Sequence, residues 1–353
     1  MHNVKRLTAE KRAELRAANE EKAARYRAIS ATAMERRAAR TYDQESLDLA
    51  RDGVQANPDF ATLWNFRREV LRHMHPEPAA DAEAAAIEAF AAARRPACEA
   101  ELALTQECLG LNPKSYPVWS HRQWVMEWGR CAWQHERELK LTSKFLALDD
   151  RNFHCWTYRR FLVRAAGVPA EAELSFTTTK IESNFSNYSA WHQRSKLLPV
   201  LAAAKGGPAG GAAALGTAVR DELQLVRNAF YTAPEDSSAW FYHRWLLAQL
   251  APEGGAAAAP PAEYPESTRK EPAEYEALLR DELAMTEELL ELEPDAKWPL
   301  ATAAFLGTLL ARGGGGGEAD AARTAERLAV LQKVDGARAN FYAHAAAQAR
   351  GAA

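Results

Sequence analysis

The chain has 353 residues, with 44 Lys plus Arg against 47 Asp plus Glu, a formal net charge of −3 and 47% hydrophobic residues. That balance gives no general attraction to nucleic acid or to an anionic membrane surface, and no apolar run approaches the roughly 20 residues that span a bilayer. Met1–Arg6 lack the apolar stretch of a signal peptide, and Cys98, Cys108, Cys131 and Cys155 form no Cys-x-x-Cys pair, so a cytoplasmic protein without a disulfide framework or zinc knuckle is expected.

In chain order, residues 1–40 are rich in Ala, Glu, Lys and Arg and read as a solvated helical leader. From residue 41 to about 350 one unit recurs, each copy centred on a tryptophan: Trp64, Trp119, Trp156, Trp191, Trp240 and a faded Trp298. Asn57-Pro58, Asn112-Pro113, Asp150-Arg151-Asn152, Asn184 with Asn187, Ala233-Pro234 and Glu293-Pro294 precede them in turn. Asn or Asp at a helix entrance accepts a bond from free first-turn N–H groups, and Pro is tolerated there because its missing N–H is spare. Arg67, Arg122, Arg159 and Arg194 each follow their tryptophan at the spacing that shares a helix face, whereas Arg244 lies one residue further on and is not equivalent. Ahead of the entrances, residues 99–109, 136–148, 170–181, 221–230 and 278–292 carry apolar residues at three- and four-residue intervals.

Two helices per repeat predict an all-α fold, a right-handed α-solenoid forming a tetratricopeptide-like crescent of helical hairpins. Low-complexity tracts near 202–216, 251–272 and 313–317 are expected to be long loops, and the Ala-rich stretch 79–93 to be partly helical.

The familiar self-sufficient sites are missing: no phosphate-binding Gly loop, no His-Glu-x-x-His and no Gly-x-Ser-x-Gly elbow. The acidic pairs Asp149/Asp150 and Glu287/Glu288 read as solvated. Basic and aromatic residues remain at the second-helix entrances: Lys114, Tyr116, His121 and Arg122 around Trp119; Arg151, His154, Tyr158 and Arg159 around Trp156; Tyr188, His192 and Arg194 around Trp191. On one edge they would form a ridge suited to a diphosphate or an acidic surface. The arginines have an alternative reading, bonded to inter-helix turns. Lys114 stands where other copies have Asp59, Phe185 and Glu235, so the repeat does not require it.

The strings Asn57-Pro58-Asp59-Phe60 to Trp64, Asn112-Pro113-Lys114-Ser115-Tyr116, Asn152-Phe153-His154-Cys155-Trp156 and Asn184 to Trp191 resemble the α-subunits of protein prenyltransferases, those of the Rab geranylgeranyl (type II) branch above all. The likeness runs over nearly the whole chain and implies a partner β-subunit that holds a catalytic zinc, with no cofactor bound by this chain alone. It implies transfer of geranylgeranyl from geranylgeranyl diphosphate to C-terminal cysteines of Rab GTPases presented by Rab escort protein, by an enzyme active only as the heterodimer. The Lys-x-Tyr string before a repeat tryptophan implies Lys114 as the diphosphate contact, Tyr116 at the subunit boundary, and His121 and Arg122 as supporting groups. His2 carries two readings, an unengaged terminal residue or a ligand capping the partner's zinc. The immunoglobulin-like and leucine-rich domains of larger members have no counterpart in the pattern. The alternatives are the α-subunit of the farnesyl and type I enzymes and a non-catalytic helical scaffold.

Overall fold

The structure is a computed structural model that describes residues 9–78, 81, 83–252 and 271–351; among them every regular element is helical. His2, and most of the expected 251–272 loop, lie outside the described residues. The chain divides into two compact units, Met1–Gly167 and Val168–Ala353.

The first unit opens with α1 (Ala9–Ala38), followed by the hairpins α2 (Gln44–Ala56) with α3 (Ala61–Met74), α4 (Ala84–Leu111) with α5 (Tyr116–Trp128), and α6 (His135–Leu148) with α7 (Phe153–Ala166). The expected solvated leader is anchored at its C-terminal end. Ala33 is buried, Arg37 donates to Glu69 at 2.9 Å, and Tyr26 meets Phe60 edge-on at 6.3 Å. Helix ends follow side-chain chemistry. Asp43 caps α2 by accepting from the Ser46 N–H at 2.9 Å, and Gly167 ends α7 at φ 62°, a left-handed conformation that costs glycine no Cβ clash.

In the second unit, α8 (Ala170–Ser183) packs on α9 (Tyr188–Thr232), α9 on α10 (Ser237–Leu250), α11 (Pro272–Leu292) on α12 (Lys297–Arg312), and α13 (Glu318–Val334) on α14 (Ala339–Gly351). The last hairpin carries no repeat tryptophan; it is held by a core of Leu300, Ala304, Leu328, Leu331, Tyr342 and Ala346.

One expectation is corrected. Residues 202–216 are not a loop: they lie inside the 45-residue helix α9. Gly in a helix costs about 1 kcal/mol and Pro about 3 kcal/mol, but Ala is the best helix former. Both flanks are also packed, Leu197, Leu198 and Leu201 before the tract and Val219, Leu223 and Val226 after it, so tertiary burial carries the helix across. At 313–317 the expected break between helices is present.

The five tryptophans from Trp64 to Trp240 are buried, and Trp298 is half-buried against Phe241 at 5.2 Å. Gly129, which ends α5, lies so close to two buried thiols that a Cβ there would come 2.1 Å from Cys98 Sγ and 2.7 Å from Cys131 Sγ. Gly129→Ala is therefore expected to lower unfolding free energy by roughly 1–3 kcal/mol, the cost of overpacking a core. A denaturant midpoint equal to that of the parent chain would refute the crowding.

Candidate functional site

The turns entering α3, α5, α7, α9 and α10 share one construction. Each indole N–H donates at 2.8 Å to a carbonyl six residues back: Trp64 to Pro58, Trp119 to Pro113, Trp156 to Asp150, Trp191 to Phe185 and Trp240 to Pro234. Asn57, Asn112, Asp149 and Asn184 do not cap these helices; each side chain accepts the N–H two residues on, closing the turn. The side-chain caps are Asn152, accepting from Cys155 N–H, Asn187, accepting from Ala190 N–H, and Asp236, accepting from Ser238 N–H.

This construction places Lys114. Its own N–H donates to Asn112 Oδ1 at 3.2 Å, and the Pro113 carbonyl accepts from Trp119 of the same repeat and from Asn152 Nδ2 of the next, both at 2.8 Å. The backbone is thus held on both sides while the side chain stays out, 67% exposed, its ammonium 3.0 Å from Asp149 Oδ2. Asp149, expected to be merely solvated, is the counter-charge of Lys114, which holds its carboxyl below the usual range.

Tyr116 is exposed and its ring lies 5.9 Å from that of His154 on the first turn of α7. Partial burial, and then the Lys114 charge, push the His154 imidazole below its ordinary value, so it is neutral near pH 7 and able to accept or donate one hydrogen bond. Tyr116 and His154 line an open cleft of about 370 Å³ together with Arg68, Ser120, Trp124 and Phe153. Lys114, Tyr116 and His154 therefore form a polar, cationic edge beside an aromatic cleft. His154 belonged to the ridge legible in the sequence, but nothing there singled it out.

His121 and Arg122 are not at that edge. Both are fully buried, and their partners are carboxylates. Arg122 donates from Nε and Nη2 to Glu138 at 2.6 Å each, and from Nη1 to the Leu102 carbonyl and Thr105 at 2.7 Å. His121 bonds Glu101 at 2.8 Å through Nε2, and its Nδ1 accepts from Arg68 Nε at 3.3 Å. Neither reaches a bound anion, because each is already committed inside the core.

The same pattern recurs. Glu101 lies between Arg67 and His121, Glu138 between Arg122 and Tyr158, and Glu222 between Arg194 and Tyr242. In the fifth copy His243 takes the arginine's place on Glu282, with Arg227 on the other oxygen, while Arg244 points elsewhere. Glu101, Glu138 and Glu222 each join the second helix of one repeat to that of the next, whereas Glu282 ties α11 to both helices of the 219–250 repeat. The sequence reading missed these acids, although the signal was present: Glu stands twenty positions ahead of His121, Tyr158 and Tyr242 alike.

The ladder makes stability acid-sensitive. Burial drives His121 down to about 4 against the pull of Glu101, so between that value and the ordinary 6.5 the unfolded chain binds the extra proton. Glu101, despite the upward push of burial, is held to about 2 by Arg67 and His121, so its contribution fades below the ordinary carboxylate range. Both act in one direction: the melting temperature should fall from pH 7 to pH 4.5, and His121→Gln should flatten the slope between pH 6.5 and 4.5. An unchanged slope in that variant would remove His121 from the account.

Among the described residues no group of three or more His, Cys, Asp or Glu side chains could hold a metal ion, and no helix is long and apolar enough to cross a membrane.

The repeat known as "Protein prenyltransferase alpha subunit repeat" matches residues 43–74, 98–129, 135–166, 170–201 and 219–250. A protein named geranylgeranyl transferase type-2 subunit alpha is 44% identical in Sus scrofa over 259 residues, 72% of this chain but 43% of that protein, so the chain spans less than half the length of this mammalian relative. The proteins of the same name in Dictyostelium discoideum and Saccharomyces cerevisiae are 35% and 31% identical, over 75% and 70% of this chain and 74% and 72% of theirs. A solved structure described as "Candida albicans protein geranylgeranyltransferase-I complexed with GGPP" superposes with a TM-score of 0.63 over 92% of this chain and 90% of that one; at 20% identity it establishes the all-α repeat fold alone.

Proposed function

Since the chain belongs to the protein prenyltransferase α-subunit family, we propose that it is the α-subunit of a type II enzyme, transferring geranylgeranyl from its diphosphate to C-terminal cysteines of Rab GTPases presented by an escort protein, and active only with a β-subunit. The relatives that carry this name in a slime mould and a yeast align over nearly three quarters of their length, which supports the branch. The observation that carries the mechanism is the placement of Lys114, rigid in backbone and exposed in side chain, beside Tyr116 and His154.

As the bond between C1 of the isoprenoid and the diphosphate oxygen stretches, negative charge grows on the leaving group. A cation already positioned there stabilises the transition state more than the ground state. Lys114 supplies that cation, exchanging Asp149 for the diphosphate, and neutral His154 donates a hydrogen bond to it. Tyr116, Phe153, Leu111 and Leu148, all exposed large side chains near this edge, provide the apolar surface that a β-subunit would cover. The reading assigns the catalytic zinc to that partner, as the family resemblance implies.

The test is co-expression with a candidate β-subunit, then geranylgeranyl transfer to a Rab with escort protein and, separately, to a peptide ending in Cys, two aliphatic residues and one variable C-terminal residue. Transfer to the Rab alone supports the type II reading. Transfer to the peptide alone moves the chain to the other prenyltransferase branch, and no complex with any β-subunit returns the scaffold reading.

A further inference from the structure

A second concavity, in the second unit, lies far along the chain from Lys114. It is an open cavity of about 950 Å³ lined by α10, α12, α13 and α14. Its floor is a stripe on α12, Trp298, Ala301, Phe305, Thr308 and Arg312, at the three- and four-residue spacing of one helix face. At 1.5 Å per residue that stripe is about 21 Å long. Phe241 from α10 and Phe341 and Ala345 from α14 form the walls, and both phenylalanines are exposed. Aromatic and aliphatic groups dominate, as in cavities that take small apolar ligands.

The charge in this cavity is one-sided. Arg244, Arg312 and Arg338 line it, and no Asp or Glu does. Arg338 is neutralised by Asp335 at 2.9 Å, just outside the lining. Arg244 has no carboxylate within ion-pair reach among the described residues: its guanidinium lies 4.8 Å over the Phe305 ring and makes only a long 3.5 Å bond to the Ala301 carbonyl. Burial lowers its basicity, opposed by the Tyr342 phenol and by no carboxylate. Arg67, Arg122 and Arg194, three residues after their tryptophans, contrast sharply, since each holds a buried glutamate. A desolvated guanidinium facing an apolar trough is complementary to one anionic group attached to an apolar chain.

We propose that this cavity binds a single-chain lipid anion, its hydrocarbon laid along the α12 stripe and its carboxylate or phosphate on Arg244. The site lies on α10, α12 and α14 and does not depend on the prenyl-transfer reading. A fatty carboxylate and an isoprenyl monophosphate share the required chemistry, and the test separates them.

The full chain is incubated with diazirine-bearing palmitate or, in a second arm, diazirine-bearing geranylgeranyl monophosphate, then irradiated, and the labelled peptides are mapped by mass spectrometry. Saturable labelling of α12 and α14 peptides is expected, with the tighter arm identifying the chain type. The palmityl alcohol analogue should bind about tenfold more weakly than the acid, and Arg244→Gln should weaken the acid by about the same factor while leaving the alcohol unchanged. Ala301→Trp, which fills the floor, should abolish both. Should Arg244→Gln fail to fold, as read by its circular dichroism melt, the acid-to-alcohol ratio on the parent chain decides. Equal binding of acid and alcohol, label confined to peptides outside α10, α12, α13 and α14, or label displaced only by a co-purifying protein would overturn the proposal.

Discussion

Glu138→Ala is expected to lower the unfolding free energy by about 3–5 kcal/mol, the range for removing one partner of a buried ion pair. Glu138 is wholly buried and receives two 2.6 Å bonds from Arg122 and one of 2.8 Å from the Tyr158 hydroxyl. Alanine leaves the Arg122 guanidinium charged, dry and without a counter-ion, and leaves the Tyr158 hydroxyl without its acceptor. The loss falls between repeats, where a stacked array has only its nearest-neighbour interfaces to hold it. Chemical denaturation of the parent chain and the variant measures the difference. A loss under about 1 kcal/mol would mean that the carboxylate ladder is incidental to stability. Replacing the triad together, Arg122→Met with Glu138→Leu and Tyr158→Phe, should recover most of the loss, because the cost lies in the orphaned charge rather than in the missing contact.

Lys114→Ala is expected to reduce turnover of the assembled heterodimer by about a hundredfold, the effect of removing one pre-positioned group that stabilises transition-state charge. The side chain contributes little to the fold: it is largely exposed, and its one ion pair, with Asp149, is of the surface kind worth at most about 1 kcal/mol. Its turn is fixed by main-chain and neighbouring bonds that the substitution leaves in place. The variant should therefore associate with the β-subunit as the parent does, which size-exclusion chromatography checks, while single-turnover transfer falls. Equal loss of association and turnover would make Lys114 an interface residue instead. Asp149→Asn provides a control, since it frees Lys114 and should preserve transfer.

The repeat was legible because its demands are local. A tryptophan whose N–H must find a carbonyl six residues back, and an Asn or Asp that must close the turn before it, recur at fixed spacing and can be read from a single chain. Lys114 was legible for the opposite reason, as a residue the repeat did not need. The helix across the low-complexity tract at 202–216 was not legible, because its Gly and Pro residues weaken the local helix preference and the composition says nothing of the packed segments on either side.

The amino-acid order alone thus determined the all-α repeat, since each tryptophan and the Asn, Asp or Pro ahead of it lie within a few residues of one another. The fate of the remaining arginines and histidines was decided by tertiary structure. Whether Arg122 or His121 faced a ligand or the core depended on Glu138 and Glu101, carboxylates on other helices that only stacking brings within hydrogen-bond reach. The same stacking left Arg244 without an acid: a side chain's charge is written in the sequence, but its counter-charge is assigned by the fold.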